Sequence, residues 1–362
     1  MSAETSAPFD AVVAGAGPAG AVAAHVLARA GKRVLLTGAP PDAAHKIGEA
    51  LPAAALRLLR ELELPVPREG GPHTPIRGNL VCWGSDDLQA SDFLLDPDGP
   101  GWRLDRRRFE GDLRDAAIEA GAIFRPSQVA GIERRASLWN VQLSDGACVE
   151  ARWLIDATGR RAAIARKLGA RRSRDARLVA IYALAEPSPQ FDLDRTLVEA
   201  VCGGWWYAAR LPNGAALAAF HLHPRDAIKV IGQSGGWSAA LANTLHLAPR
   251  LASAKFHAPR RAVEACGARL DRFFGDGWIA CGDAALSFDP VSSQGLFSAI
   301  HGGMTAARAV VGALQDDTSQ SRAYSDRLET IRRIYLARWR TLYRNEWRWR
   351  EAPFWSEHAA GP

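Results

Sequence analysis

Cysteine, lysine and long apolar runs are scarce in this 362-residue chain. Its five Cys, at 82, 148, 202, 266 and 281, are scattered, odd in number and form no CxxC pair. That pattern excludes a disulfide framework and a thiolate zinc site, and it suits a reducing compartment, so a cytoplasmic location is expected. No run of about 18 uncharged apolar residues occurs, so no membrane span is expected. The first strand-like segment starts at Phe9, which leaves no room before it for a secretory signal. Internal repeats and low-complexity tracts are also absent. What is present is an ordinary globular composition, 48% apolar, with ample material for a buried core. The net charge of +6 is unevenly placed: residues 321–350 hold nine Arg against Asp326, Glu329 and Glu346, and the rest of the chain balances. No nucleic-acid partner is expected.

Residues 9–38, FDAVVAGAGPAGAVAAHVLARAGKRVLLTG, read as strand (9–14), tight turn, helix (21–30, stopped by Gly31) and strand (32–37). Gly15, Gly17 and Gly20 form GxGxxG, with Pro18 and Ala19 inside it. Gly15 permits the turn, Gly17 lets backbone approach a pyrophosphate, and Gly20 lets helix pack on strand. Free N–H groups at the helix start then face the anion. The second strand would ordinarily end in an acid that holds the adenosine ribose. Here Thr37 stands at that place, and Asp42 could reach back from the loop.

A second strand–turn–helix unit follows about 260 residues later. Trp278 to Cys281 reads as a strand, GDAALSFDPVSSQG as a loop, and a long helix begins near Gln294. An NAD enzyme has no obvious use for it. FAD is longer, and its ribityl chain and isoalloxazine reach far from the first loop. Asp283 is the candidate acceptor for ribityl hydroxyls. Ser292, Ser293, Gln294 and Gly295 sit where the positive end of a helix could face the N1–C2 edge of the flavin.

With both loops, the chain resembles FAD-dependent monooxygenases of the superfamily that includes p-hydroxybenzoate hydroxylase-like enzymes, geranylgeranyl reductases and flavin-dependent halogenases. GAGPAG (15–20), LIDATGR (154–160) and GDAALSFDP (282–290) carry the likeness. Within that superfamily it most resembles flavoprotein maturases that modify Trp in quinone-cofactor (cysteine tryptophylquinone) oxidases, through KIGEALP (46–52), GWRLDRRRFE (101–110), GGWWYAARLPNG (203–214), FDPVSSQG (288–295) and RWREAPFW (348–355). The resemblance implies that Lys46, Glu49, Ala50 and Leu51 line the flavin and that Arg106 meets the FAD phosphate or ribityl region. It also implies that Asp156 and Ala157 form a strand-end turn near the dinucleotide, that Val129 contacts adenine through its backbone, and that Pro290, Ser293, Gln294, Gly295 and Leu296 border the ring system. Read without it, Arg106 is one of a solvated group with Arg103, Arg107 and Arg108, and Glu49 could equally cap a helix starting near Pro52.

The implied reaction is hydroxylation of a protein- or peptide-bound Trp through a flavin C4a-hydroperoxide, with O2 as oxidant and with electrons from NAD(P)H or a separate flavin reductase. The partner would be a precursor polypeptide carrying that Trp. Trp205, Trp206 and Tyr207 could wall the substrate cavity; equally, they are core residues of a sheet. Glu49 and Lys46 are the candidate acid and base. Halogenases of the superfamily carry a Lys beside a tunnel, and residues 76–84 contain none. A small-molecule aromatic hydroxylase or halogenase, and a non-catalytic flavoprotein chaperone of the precursor, are the alternatives.

The expected fold is α/β in two domains. A Rossmann-like FAD-binding domain would take residues 8–75, 101–170 and 267–315. A substrate domain of β-sheet would take 76–100 and 171–266, with three or four strands over 178–222. A C-terminal helical segment, 316–362, would carry Leu328, Ile331, Tyr335, Trp339 and Leu342 on one face and Arg outside. His221 and His223 are read as alternating on one strand in ordinary packing, so no metal site is assigned.

Overall fold

The computed structural model describes residues 7–39, 47–93, 98–191, 193–257 and 262–361. Its α/β core is an eight-stranded sheet. Phe9–Ala14 lies in its centre, parallel to Val34–Thr37 on one side and to Cys148–Asp156 on the other. Ile123–Arg125 and Trp278–Ala280 extend it outward, both parallel to their neighbours. The hairpin of Val129–Arg135 and Leu138–Leu143 joins antiparallel to Cys148–Asp156. The central strand is apolar at nearly every position because helices cover both faces of a parallel sheet.

The first helix runs Pro18–Arg29. It starts earlier than its composition suggests because a Pro lacking an N–H costs nothing in the first turn. Gly31, at φ 71°, ends it, and the next strand begins only at Val34. The Gly295–Ala313 helix packs against this first helix through small residues. A Cβ on Gly303 would strike the Ala19 carbonyl, and one on Gly302 would press on the Gly282 backbone. This close approach brings the starts of both helices to the same side of the sheet.

A second sheet of seven strands is built from residues 78–92 and 179–264. Its centre is the run Val179–Ala185, Ala216–Leu222, Gly204–Arg210, Thr196–Val201, all antiparallel. Side chains alternate across it, so the Trp205–Trp206 pair is split between faces. Trp206 is buried beside helices of residues 224–242, stacked on Phe220 with ring centroids 4.5 Å apart and meeting Trp237 edge-on at 4.9 Å. Trp205 points the other way and stacks on His221 with ring centroids 3.6 Å apart. His223 does not share that strand. The strand ends at Leu222, and His223 caps the Pro224–Gly232 helix by accepting from Arg225 N–H at 3.2 Å.

The chain closes with a 26-residue helix, Ser319–Arg344, and a short one, Pro353–Ala360. Leu328, Tyr335 and Trp339 are buried as their spacing predicts, and Tyr343 continues the stripe. Arg332 departs from the outer-face pattern by turning inward onto buried Asp175 at 2.8 Å. Among the described residues no helix is long and apolar enough to cross a membrane.

Burial drives the imidazole of His221 down to about 3. An unfolded His takes up its proton near pH 6.5, whereas the folded one stays neutral far below that. The unfolded state therefore binds more protons below 6.5, and stability falls as pH drops. Between pH 7 and pH 5 this residue is expected to remove about 2 kcal/mol. Chemical unfolding at the two pH values measures it: wild type should lose more than His221→Phe, and equal losses would refute the assignment.

Candidate active site

The first glycine turn is shaped by contact with the third segment of the core. Gly15 adopts φ 114°, and a Cβ there would strike the Ala157 carbonyl, while one on Gly20 would strike the carbonyl of Gly15. Ala157 N–H donates to the Ala14 carbonyl at 2.8 Å, which locks the two strand ends together. Gly17 differs: a Cβ there meets nothing within 4 Å. It precedes a helix whose first turn has no side-chain cap. The first-turn N–H groups are left without a side-chain acceptor, as a pyrophosphate site requires.

Two residues near this turn are committed to the fold. Asp156 is fully buried; its Oδ1 accepts from Thr158 N–H and O–H at 3.0 and 2.6 Å, and Oδ2 from Ile164 and Ala165 N–H at 2.9 and 2.8 Å. It caps a helix, and only its backbone borders the dinucleotide turn. Thr37 is also fully buried, and its hydroxyl donates to the Val13 carbonyl at 3.3 Å. It is turned into the sheet, so it does not supply the ribose donor expected at that strand end. Asp42 and Lys46 lie outside the described residues. Val129 starts its strand half-buried.

Glu49 joins a buried polar knot that the sequence did not signal. Arg103, only 3% exposed, donates from Nη1 to Glu49 Oε1 at 3.2 Å and to the Tyr207 hydroxyl at 2.6 Å, and from Nη2 to Thr196 Oγ1 at 2.9 Å. Tyr207 donates its own proton to Glu49 Oε1 at 2.5 Å. The knot links the 47–51 segment, which includes Ala50, to the seven-stranded sheet. Burial, opposed by Arg103 and aided by Glu49, raises the Tyr207 phenol far above its usual value, so it keeps its proton. Glu49 Oε2 is buried and, among the described residues, has no hydrogen-bond partner, which makes it an acceptor available to a bound group. Alongside, Arg106 donates to the carbonyls of Ile47 and Gly48 at 3.1 and 2.6 Å and pairs with Glu110 at 2.6 Å. It braces the segment rather than standing solvated.

The second loop is fixed at both ends. Cys281 N–H donates to the Asp156 carbonyl at 2.9 Å, and Arg160 sits 3.5 Å from Asp283 while holding the Phe288 carbonyl at 2.9 Å. Asp283 stays one-third exposed, a geometry open to a ribityl chain. Asp289 is buried. Its Oδ2 accepts from Trp339 Nε1 at 2.9 Å and Tyr343 O–H at 2.8 Å, and its Oδ1 from Val291 N–H at 3.0 Å. Burial pushes this carboxyl up, and those donors, with His358 nearby, partly hold it down. Pro290 opens a single 3-10 turn, Ser293 is left-handed at φ 52°, and Gln294 precedes the Gly295 helix. That helix also starts without a side-chain cap, and Leu296 is buried against the first helix.

Beside this start lies a cavity of about 510 Å³ between the Gly295 and Ser319 helices. Its walls include Phe288, Val291, Gln294, Phe297, Ile331 and Trp339, with His301, Arg327 and Arg338 as its cations or potential cations. Burial, with Arg327 and Arg308, lowers the His301 imidazole, which is therefore neutral at pH 7. None of Trp205, Trp206 and Tyr207 lines this cavity. Strand alternation puts Trp206 behind the sheet, Trp205 donates from Nε1 to Tyr343 O–H at 3.1 Å, and only Tyr207 reaches the Glu49 knot. Arg103, Asp289 and Tyr343 are the site-building residues that motif reading missed. A buried Arg on the strand 101–103 and a Tyr four residues beyond Trp339 were the available signals. Among the described residues no group of His, Cys, Asp and Glu could hold a metal ion.

Removing Arg103 strands the Glu49 charge. Arg103→Met is expected to cost about 3–5 kcal/mol, and Arg103→Met/Glu49→Gln to recover part of it. Thermal midpoint and retained flavin absorbance measure both effects; an unchanged single variant would refute the knot's role.

A family model described as tryptophan halogenase matches residues 89–362. The chain is 30% identical over 370 residues, covering 97% of each protein, to LodB of Marinomonas mediterranea, which is named as an FAD-dependent oxidoreductase. Among solved structures, QhpG, a peptidyl tryptophan dihydroxylase essential for tryptophylquinone cofactor biogenesis, superposes at TM-score 0.76 with 25% identity, over 97% of this chain and 79% of that one. CmlS, a flavin-dependent halogenase, shares the fold at TM-score 0.84 and 21% identity, over 97% and 68%. Open glycine turns, two uncapped helix starts and an unpartnered buried carboxylate oxygen fit an elongated flavin dinucleotide. The chain belongs to the tryptophan halogenase family and is an FAD-dependent oxidoreductase.

Proposed function

We propose that this protein is a monooxygenase that hydroxylates a Trp side chain within a precursor polypeptide during quinone-cofactor biogenesis. The observation that carries the reading is the apolar cavity beside Gln294 and the start of the Gly295 helix. Its wall includes Ile334, which is 46% exposed, so the cavity borders the surface, where a side chain on a larger partner can enter. The likeness to LodB and QhpG supports the same reading.

In this reading residues 8–75, 101–170 and 267–315 form the FAD-binding domain, and 76–100 and 171–266 the substrate domain. Gly15, Gly17, Pro18, Ala19 and Gly20 present backbone N–H groups to the pyrophosphate, and Asp283 accepts from ribityl hydroxyls. Val129 meets the adenine, and Ala157 closes the turn. Pro290, Ser293, Gln294, Gly295 and Leu296 shape the ring site, where the helix start favours negative charge. Bound FAD supplies the activation of O2, with electrons from NAD(P)H or a flavin reductase. The protein's share is to hold the indole, exclude water and keep protons in place. Phe297 and Trp339 are positioned to pack on an indole, neutral His301 can exchange a hydrogen bond with its N–H, and Tyr207 and Glu49 hold a shared proton at the flavin-lining segment.

Halogenation is the second reading, favoured by the family match. No Lys lines the cavity among the described residues, and Lys46 lies outside them.

Co-expression with a precursor followed by intact-mass measurement decides between them. One or two added oxygen atoms on a Trp-containing peptide are expected; halogen incorporation, or robust turnover of small aromatics with an unmodified precursor, would overturn the proposal. Ser298→Trp fills the cavity. It should retain FAD and lower modification by about 100-fold.

A further inference from the structure

We infer that the cavity binds an extended polypeptide segment whose target aromatic residue is flanked on both sides by carboxylates, gripped by Arg327 and Arg338. This deepens the proposed function and rests on it for the identity of the inserted side chain. Both Arg line the cavity and both are exposed. They stand on the Ser319–Arg344 helix eleven positions apart, which is about 16 Å along the axis and about 20° in azimuth. Ile331 and Ile334 lie between them on the same face and also line the cavity. The pattern is thus cation, apolar wall, cation along one line.

Neither guanidinium forms an ion pair among the described residues. Neighbouring charges are already engaged: Glu329 holds Arg269 at 2.6 Å, and Arg332 is turned in on Asp175 at 2.8 Å. Arg327 and Arg338 therefore act outward. The residues 321–350 carry a surplus of six positive charges, so the surrounding field also favours an acidic partner.

The spacing selects the ligand class. A small aromatic acid can reach only one of two cations about 16 Å apart. An extended chain advances about 3.3 Å per residue, so the same span takes about five residues. Carboxylates two or three positions before and after the aromatic residue meet both Arg while that side chain enters between Ile331 and Trp339.

The test uses the FAD-loaded enzyme and synthetic peptides with a central Trp. One peptide carries Glu two residues before and three after it, one carries Gln at those places, one carries Lys, and one carries both Glu on the same side. Fluorescence anisotropy gives Kd, and mass spectrometry of the same mixtures gives added oxygen. The flanked Glu peptide is expected to bind about tenfold tighter than the Gln peptide at low salt, with the gap closing at high salt. The same-side peptide should lose part of that gain. Arg327→Glu/Arg338→Glu should invert the order in favour of Lys while retaining flavin absorbance. Equal Kd for Glu and Gln peptides, indifference to Glu placement, or an unaltered order in the double variant would each overturn the inference. Oxygen added equally to all peptides refutes the docking but leaves the oxygenation reading standing. The predicted order with no added oxygen supports the docking and refutes the oxygenation reading.

Discussion

The Asp289 carboxylate is the interaction on which the arrangement of the site depends. A buried carboxylate is costly unless its lone pairs are filled, and removing a partner from such a group is more damaging than never burying it. Here Trp339 and Tyr343 fill Oδ2, and Val291 N–H fills Oδ1. Two of these donors belong to the C-terminal helix and the third to the loop before the Gly295 helix. The backbone adds a further link, since Asp289 N–H donates to the Tyr335 hydroxyl at 3.1 Å. The loop before the Gly295 helix is thereby registered against a helix that begins about thirty residues later in the chain. The cavity lies between those two elements, and its width follows from this registration.

The same carboxylate also reaches the seven-stranded sheet. Tyr343 donates to Asp289 and accepts from Trp205 Nε1, so sheet, loop and helix share one hydrogen-bonded line. Trp83, Trp355 and Phe354 pack around Tyr343 with ring centroids 5.1–6.2 Å apart. The Glu49–Arg103–Tyr207 knot makes a second link on the face that Trp205 shares with Tyr207, between the 47–51 segment and the strand Gly204–Arg210. Apolar packing alone tolerates slippage, whereas directional bonds to buried charges fix one register. Two polar knots tie the seven-stranded sheet to the segments around it, and the apolar cores supply the bulk of the burial.

Much of this was legible in the chain. GxGxxG between two apolar runs specified the first strand, turn and helix because Gly15 and Gly20 answer steric demands that the fold does make, while Gly17 leaves open space. Four strands over 178–222 and the stripe Leu328, Tyr335, Trp339 followed from periodicity. What local sequence does not show is how partners distant in the chain decide a side chain's use. Thr37 and Asp156 read as ligand groups because their positions suit one, yet Val13, Thr158 and the helix at 163–167 consume their hydrogen bonds. Arg103 sat in an Arg-rich run that looked solvated, and nothing local marks it as the partner of Glu49. Trp205 and Trp206 were grouped as neighbours, although adjacent strand residues necessarily face opposite ways. The cavity itself was invisible, since it exists only once the Gly295 and Ser319 helices are packed.

The composition of that cavity bears on the chemistry it can support. Among the described residues, no Asp, Glu, Lys or Cys lines it. His301 is held neutral by burial and by Arg327, and burial keeps the Tyr335 phenol protonated. Among the described residues the cavity walls therefore hold no carboxylate or amine, and Ser292, Ser298 and neutral His301 are the groups left for proton transfer. An electron-rich indole needs neither carboxylate nor amine, because its ring attacks an electrophile directly. The demands that remain are orientation, exclusion of water and a confined approach to the reactive end of the cofactor. A dry aromatic cleft beside the start of the Gly295 helix meets them, and the burden of activation then falls on the flavin rather than on a side chain. Under the proposed function, that division of labour accounts for charged groups that serve architecture at Asp289 and Glu49 and recognition at Arg327 and Arg338, with an apolar surface left for the reaction.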